Sequence, residues 1–215
     1  RPIAIHLQGL KKLGANFSVE NGYVIGQVKN HLIGSHIPLP FPSVGATENI
    51  MMASTIAKGR TIIENAAMEP EINDLADCLN KMGAKIKTIN NGIIQIDGVS
   101  SLVKVSHKIM SDRIVAGTFI IAAVMLNKKF EVKDIEPDDL EALIKTLESM
   151  GANLKIKKNK IQIMPTNELK GIKIETAPHP GFPTDLQAQI MALMSLAKGK
   201  SQIKENIFEN RFMHV

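Results

Sequence analysis

The chain has 215 residues, of which 44% are hydrophobic and 22% are charged, and its formal net charge is +5. This balance supplies enough apolar side chains for an ordinary core and excludes a disordered chain. The single cysteine, Cys78, excludes a disulfide framework and indicates a reducing compartment, so we expect a cytoplasmic protein. No apolar run approaches the ~20 residues that cross a bilayer, so we expect no membrane association.

The basic residues are scattered along the chain. The pair Lys11-Lys12 and the lysines within 155–160 adjoin turns or alternate with apolar residues, a pattern typical of solvated faces. One tyrosine and no tryptophan also argue against stacking platforms for bases. We therefore expect no nucleic-acid partner, whereas an anionic small-molecule substrate is compatible with the mild positive charge.

A unit of roughly seventy residues repeats along the chain. The motif is an apolar residue followed by Gly-Ala, and its glycines are Gly14, Gly83 and Gly151. Each glycine fits the position after a helix, where a left-handed backbone conformation costs it little. The repeat therefore predicts an α/β fold with equivalent helix ends.

The predicted elements follow one another in the order β-α-β-α-β-β. Hairpins are indicated where Asn-Gly separates alternating runs, and Glu-Pro before an acidic residue indicates a helix start. In chain order we predict a hairpin at 17–25, a helix at 46–57, a strand at 61–65, a helix from Glu69-Pro70-Glu71, a hairpin at 86–96, a helix at 114–126, a strand at 130–134, a helix from Glu136-Pro137-Asp138, a helix at 184–197 and a strand at 202–206. The stretch 103–111 is a candidate domain junction.

The turns between the first strand and first helix of each copy differ most. In the first copy, residues 41–47 are small and lead into a helix, which suits backbone amides that approach an anion. The alternative is an ordinary Ser-capped helix start. In the middle copy, Asp112 and Arg113 are adjacent, and we interpret them as a structural ion pair.

In the third copy the turn contains three prolines and ends at Thr184-Asp185. A stiff loop that ends in a carboxylate can position a general base, although Asp185 could equally be an N-cap. Further on, Arg211 could bind a carboxylate or phosphate, or pair with Glu209. The six histidines show no metal-ligand spacing, so we expect neither a metal site nor a nucleophilic role for Cys78.

Four motifs carry a family resemblance: Arg1-Pro2, SVGAT at 43–47, APHPGFPTD at 177–185 and FENRFMH at 208–214. With them the whole chain resembles the UDP-N-acetylglucosamine 1-carboxyvinyltransferase family of enolpyruvyl transferases. The resemblance implies an inside-out α/β barrel built from repeated βαβαββ units, with an active site between two domains. Residues 1–110 are then part of the first, nucleotide-sugar-contacting domain, and 111–215 are part of the second.

The resemblance also implies the reaction and its residues. The 3-hydroxyl of UDP-N-acetylglucosamine adds to C2 of phosphoenolpyruvate and phosphate leaves, a step that begins peptidoglycan precursor synthesis. Asp185 corresponds to the carboxylate that takes the hydroxyl proton, and Arg211 corresponds to an arginine tied to domain closure and turnover. The substrate-binding positions are Arg1, Pro2, Ile3, Ala4, Ile5, Pro42, Ser43, Val44, Gly45, Asp185 and Ile207. No cofactor is implied, and the full-length enzyme is expected to be a monomer.

The sequence departs from the family pattern at two places. Ala4 replaces an aspartate near the uridine, and Phe41-Pro42 replaces a lysine-containing pair. The family's loop with the catalytic cysteine ends at the pair that is Arg1-Pro2 here. We therefore interpret the chain as an internal fragment, truncated at both ends and inactive alone. The competing hypotheses are the sister shikimate 3-phosphate transferase and a non-catalytic binding module.

Overall fold

The computed structural model describes residues 3–89 and 92–215. The chain divides into two compact units, residues 1–109 and 110–215, and the division falls inside the stretch 103–111. Arg1 and Pro2, two of the predicted substrate-binding residues, lie outside the described residues, as do Asn90 and Asn91 of the second predicted hairpin.

The described residues of unit 1 form three helices and two sheets. Its elements are α1 (Ala4–Lys12), β1 (Asn16–Glu20), β2 (Tyr23–Gln27), β3 (His36–Pro38), α2 (Val44–Ser54), β4 (Arg60–Glu64), α3 (Pro70–Lys81), β5 (Lys85–Ile89) and β6 (Ile93–Asp97). Strands β1 and β2 form an antiparallel hairpin, and the other sheet has the order β3-β4-β6-β5, in which β3 and β4 are parallel. The elements from β3 to β6 form the predicted β-α-β-α-β-β unit.

Unit 2 contains a partial copy followed by the start of another. Its elements are α4 (Arg113–Met125), β7 (Phe130–Lys133), a 3₁₀ turn (Pro137–Leu140), α5 (Glu141–Ser149), β8 (Asn153–Lys157), β9 (Lys160–Met164), β10 (Lys173–Glu175), a 3₁₀ turn (Thr184–Leu186), α6 (Gln187–Met194) and β11 (Gln202–Lys204). The sheets are β7-β9-β8, which is antiparallel, and the parallel pair β10-β11. Within the described residues no strand precedes α4 in its copy, and none of the sheets closes on itself.

The repeat glycines end the equivalent helices α1, α3 and α5. Their φ angles are 97° at Gly14, 99° at Gly83 and 93° at Gly151, a conformation in which a side chain is strained. In each case the next residue donates its amide to a carbonyl of the last helical turn, for example Ala84 to Leu79 at 3.0 Å. The prediction of left-handed helix ends is confirmed.

Each unit has its own hydrophobic core. In unit 1, α2 lies in the core through Ala46, Ile50 and Met51, which are almost completely buried. In unit 2, α4 and α6 occupy the corresponding place through residues such as Ile120 and Ile190. These helices are apolar around most of their circumference, as expected for helices covered on several sides. Packing in the core therefore fixes the positions of the first turns of these helices, and the candidate loops lead into those first turns.

An ion-pair cluster joins the outer strand β7 to the central strand β9 in the three-stranded sheet of unit 2. The carboxylate of Glu131 on β7 accepts a hydrogen bond from Gln162, its register partner on β9. It also pairs with Lys160 at 3.1 Å and with Lys133 at 3.2 Å. The hydrogen bond from Gln162, followed by those from Lys160 and Lys133, lowers the pKa of Glu131 from 4.5 to about 2.

The substitution Glu131→Gln tests this cluster through the pH dependence of stability. Because the pKa is lower in the folded state, the ionised carboxylate stabilises the fold above about pH 4.5, and this contribution disappears as the pH falls through about 2. Urea denaturation should show the largest difference between wild type and variant near neutral pH, with a shrinking difference towards pH 2. The exposed residue Glu148 of α5 provides the control, Glu148→Gln. A difference for Glu131→Gln that grows on acidification would contradict the assignment.

Candidate active site

The loop that leads into α2 forms the first part of the candidate site. Ser43 has an extended backbone (φ −82°, ψ 119°), and its Oγ accepts a hydrogen bond from the amide of Ala46 at 3.4 Å. The prediction of a Ser-capped helix start is therefore confirmed. Because the first amides of a helix have no acceptor within it, those of Val44 and Gly45 remain directed outward from the helix start. The cap is thus compatible with the alternative interpretation, in which these amides meet an anion.

His6 on α1 lies against the start of α2. Its Nδ1 is 2.7 Å from Nδ2 of Asn49, and a Cβ at Gly45 would lie only 3.1 Å from its Cε1. Gly45 and Asn49 are one turn apart on the same face, so the imidazole covers that face, and glycine permits the close approach. The N-terminal residues Ile3, Ala4 and Ile5 are adjacent to His6 in the chain, and Ile3 and Ala4 are exposed. The structure thus brings two predicted substrate-binding segments of unit 1, 3–5 and 43–45, into the same neighbourhood.

In unit 2 the proline-rich loop is folded back on itself. The amide of Ala177 donates to the carbonyl of Phe182 at 3.0 Å, and that of Gly181 donates to Pro178 at 2.8 Å. The side chain of Phe182 is buried in the core, which fixes the end of the loop. A single 3₁₀ turn, Thr184–Leu186, follows and presents Asp185 with 51% of its side chain exposed.

Asp185 and Arg211 form an ion pair. Nη2 of Arg211 donates to Oδ1 of Asp185 at 2.6 Å, and the guanidinium lies 5.3 Å from the ring centroid of Phe208. Among the described residues Arg211 pairs with Asp185, and the predicted alternative, a pair with Glu209, is not formed. The N-cap alternative for Asp185 is wrong, because the residue that caps its 3₁₀ turn is Pro183.

The exposure of Asp185 leaves it available for proton transfer. Arg211 occupies Oδ1, and no hydrogen bond from any other described residue reaches Oδ2. A carboxylate with one oxygen held by a cation and the other open to solvent has the geometry needed to accept a proton from a bound hydroxyl. The pair therefore joins the two predicted catalytic residues in one arrangement.

Two residues outside the predicted set of catalytic and substrate-binding residues contribute contacts to these sites. Glu205 accepts hydrogen bonds from the amides of Ile207 and Phe208, and His6 covers the start of α2. The contacts of Glu205 could have been predicted from the local sequence. Its carboxylate accepts from the amides two and three residues further on, which is the spacing of a helix N-cap. The contact of His6 with Asn49 joins residues 43 positions apart and leaves no such local trace.

In the middle copy, the loop that leads into α4 makes a structural contact. Asp112 caps α4, since its Oδ1 accepts from the amides of Ile114 at 2.8 Å and Val115 at 2.9 Å.

Within residues 3–89 and 92–215, no group of three or more His, Cys, Asp or Glu side chains is arranged to hold a metal ion. Over the same residues, none of the helices combines the length and the apolar character needed to cross a membrane.

Comparison with known proteins places the chain in a family. The model of the EPSP synthase (3-phosphoshikimate 1-carboxyvinyltransferase) family matches residues 1–215, that is, the whole chain. A solved structure, the enolpyruvyl transferase NikO from Streptomyces tendae, has a TM-score of 0.87 over 99% of the chain and 53% of its own length. At 20% identity this likeness concerns the fold. The chain belongs to the EPSP synthase family, and the predicted membership among enolpyruvyl transferases is confirmed.

The curated relatives are more similar in sequence. UDP-N-acetylglucosamine 1-carboxyvinyltransferase 1 of Clostridium acetobutylicum is 52% identical over all 215 residues, which cover 51% of the relative. The UDP-N-acetylglucosamine 1-carboxyvinyltransferase of Gluconacetobacter diazotrophicus is 48% identical over the same length and coverage. The chain thus spans about half the length of the curated relatives it matches. Within the family, its sequence agrees with the branch that carries this name.

Proposed function

We propose that the protein containing this chain transfers the enolpyruvyl group of phosphoenolpyruvate to the 3-hydroxyl of UDP-N-acetylglucosamine. The observation that carries the proposal is the identity of about half of all residues, over the whole chain, with relatives named for this activity. The reaction forms a bond between the sugar oxygen and C2 of phosphoenolpyruvate. C3 takes up a proton in this addition, and loss of phosphate from C2 together with a proton from C3 then restores the double bond.

Asp185 is the general base in this proposal. Its open carboxylate oxygen takes the proton of the 3-hydroxyl as that oxygen attacks C2, and Arg211 holds the other carboxylate oxygen at 2.6 Å. A base held on one side by a guanidinium keeps a defined orientation, because the charge-assisted hydrogen bond restricts rotation of the carboxylate. Ile207, whose amide is fixed by Glu205, contacts the substrate.

Unit 1 supplies the binding loop for the nucleotide sugar. The outward-directed amides of Val44 and Gly45 and the hydroxyl of Ser43 bind the diphosphate, which the positive end of the α2 dipole also favours. Pro42 and the segment Arg1–Ile5 are the other substrate-binding residues of unit 1 in this proposal. Both substrates are anions, and both helix N-termini and arginine side chains stabilise bound negative charge.

The wider assignments belong to the same proposal. Residues 1–110 are part of the nucleotide-sugar-contacting domain and 111–215 are part of the second, each built as an inside-out barrel of βαβαββ units. The βαβαββ order of β3 to β6 and the fold likeness to NikO support this architecture. The enzyme is a cytoplasmic monomer that uses these two small-molecule substrates, and the lone cysteine is consistent with that compartment.

The test is turnover by the full gene product. Incubated with phosphoenolpyruvate and UDP-N-acetylglucosamine, it should release inorganic phosphate, measured continuously by a coupled assay. The matched reaction contains shikimate 3-phosphate in place of the nucleotide sugar and should give no release above background. Release with shikimate 3-phosphate alone would establish the sister activity instead. Binding of the nucleotide sugar without any phosphate release would favour a non-catalytic module.

A further inference from the structure

The carboxylate of Glu205 lies where the two functional segments of unit 2 meet. Its Oε1 accepts hydrogen bonds from the amides of Ile207 at 2.8 Å and Phe208 at 3.1 Å. Its Oε2 accepts a hydrogen bond from the hydroxyl of Thr184 at 2.9 Å. One half-buried side chain therefore connects the residue immediately before Asp185 with the backbone of the turn that leads to Arg211.

The neighbouring residue Asn206 fastens the same turn to the start of the proline-rich loop. Its amide donates to Oγ1 of Thr176 at 2.9 Å, and its side chain donates to the carbonyl of Thr176 at 3.1 Å. Thr176 is completely buried, so this anchor belongs to the rigid part of the unit. The turn at 205–208 thus has a fixed base, and Glu205 extends from that base to Thr184.

We propose that Glu205 is a positioning residue for the reaction, acting on Asp185 through Thr184 and on the substrate contact through the amide of Ile207. This inference rests on the proposed function, because it assumes that Asp185 and Ile207 face the substrate. Without the carboxylate, two amides and one hydroxyl lose their shared acceptor, and the 3₁₀ turn is no longer tied to the turn that contains Ile207. A displacement of about 1 Å at a reacting group can lower a rate by up to about 10²-fold.

The choice of variants follows from what the carboxylate does. In Glu205→Gln the amide oxygen can still accept from both backbone amides, and the NH₂ group can donate to the Thr184 hydroxyl, whose oxygen also accepts. Glu205→Ala removes every one of these bonds. If the role is positioning through hydrogen bonds, the glutamine variant should retain it and the alanine variant should lose it.

The experiment measures kcat, KM for each substrate and thermal stability in the full gene product. For Glu205→Ala we expect kcat to fall by about 10- to 100-fold and KM for UDP-N-acetylglucosamine to rise several-fold, with KM for phosphoenolpyruvate nearly unchanged. For Glu205→Gln both parameters should stay within about threefold of wild type, because its hydrogen bonds persist. The control is Glu168→Ala, which removes an exposed glutamate of the same unit that pairs with Lys198 at 2.8 Å, and it should leave kinetics unchanged.

The outcomes separate this inference from the proposed function. An active wild type whose Glu205→Ala variant turns over at the normal rate overturns the positioning role and leaves the function intact. An equal loss in the alanine and glutamine variants also overturns it, because hydrogen bonding alone does not then explain the effect. A wild type that does not use the nucleotide sugar refutes the proposed function and this inference together. If Glu205→Ala does not fold, retained kinetics in Glu205→Gln support the role and lost kinetics refute it.

Discussion

Asp185→Asn is expected to reduce kcat of the full gene product by about 10²- to 10⁴-fold, the usual contribution of a general base. The asparagine oxygen can still accept the hydrogen bond that Arg211 donates at 2.6 Å, so the loop should keep its geometry. What disappears is the ability to take the proton of the 3-hydroxyl. KM for both substrates should therefore change much less than kcat. Phosphate release under saturating substrates provides the measurement.

A matched control exists within the same unit. Asp138 occupies the second position of the 3₁₀ turn Pro137–Leu140, as Asp185 does in Thr184–Leu186, and it is also exposed. Asp138→Asn should leave kcat unchanged, which separates the loss of a carboxylate at such a turn from the loss of this particular base. Normal turnover by Asp185→Asn, together with normal melting temperature, would require another residue as the base.

Leu147→Ala is expected to cost about 2–5 kcal/mol in the free energy of unfolding, because it removes a large buried side chain and leaves a cavity. Leu147 on α5 is 0% exposed and lies in the core of unit 2. Its counterpart in the preceding copy is Leu79 on α3, which is 7% exposed in the core of unit 1. Leu79→Ala should fall towards the lower end of the same range, because its site borders solvent.

Chemical denaturation followed by far-UV circular dichroism measures both variants against wild type. Leu126→Ala is the control, since Leu126 is 69% exposed and its truncation should alter stability by no more than about 0.5 kcal/mol. A cost for Leu147→Ala as small as that of the control would mean that α5 does not pack into the core as described.

The local elements were largely predictable from the amino-acid sequence. The Asn21-Gly22 hairpin is present, with Glu20 paired to Tyr23 and positive φ angles at both turn residues. The helix predicted at 46–57 is present as α2, and its Ser43 cap is confirmed. These features are encoded within a few residues by turn chemistry, capping and periodicity, which is why a single sequence reveals them.

The predicted helix at 184–197 differs in detail from the structure. It begins as the 3₁₀ turn Thr184–Leu186 and becomes α-helical only over Gln187–Met194. The apolar pattern of the sequence is continuous across the change from 3₁₀ turn to α-helix, so the pattern could not show where the α-helix begins. The starting turn is instead shaped by the loop before it, where the amide of Leu186 donates to the carbonyl of Pro183 at 3.0 Å.

The sequence by itself determined the repeat, the helix ends at its three glycines, the candidate loops and the family. It left the roles of Asp185 and Arg211 open. The sequence allowed Asp185 to be only an N-cap and Arg211 to be only the ion-pair partner of Glu209. Only the tertiary structure shows which residues these side chains contact, because Arg211 pairs with Asp185, 26 positions away, and Thr184 is joined to Glu205 across 21 positions. The physical reason is that the parallel pairing of β10 with β11 sets these contacts, and the partner of a long polar side chain depends on which strands lie side by side.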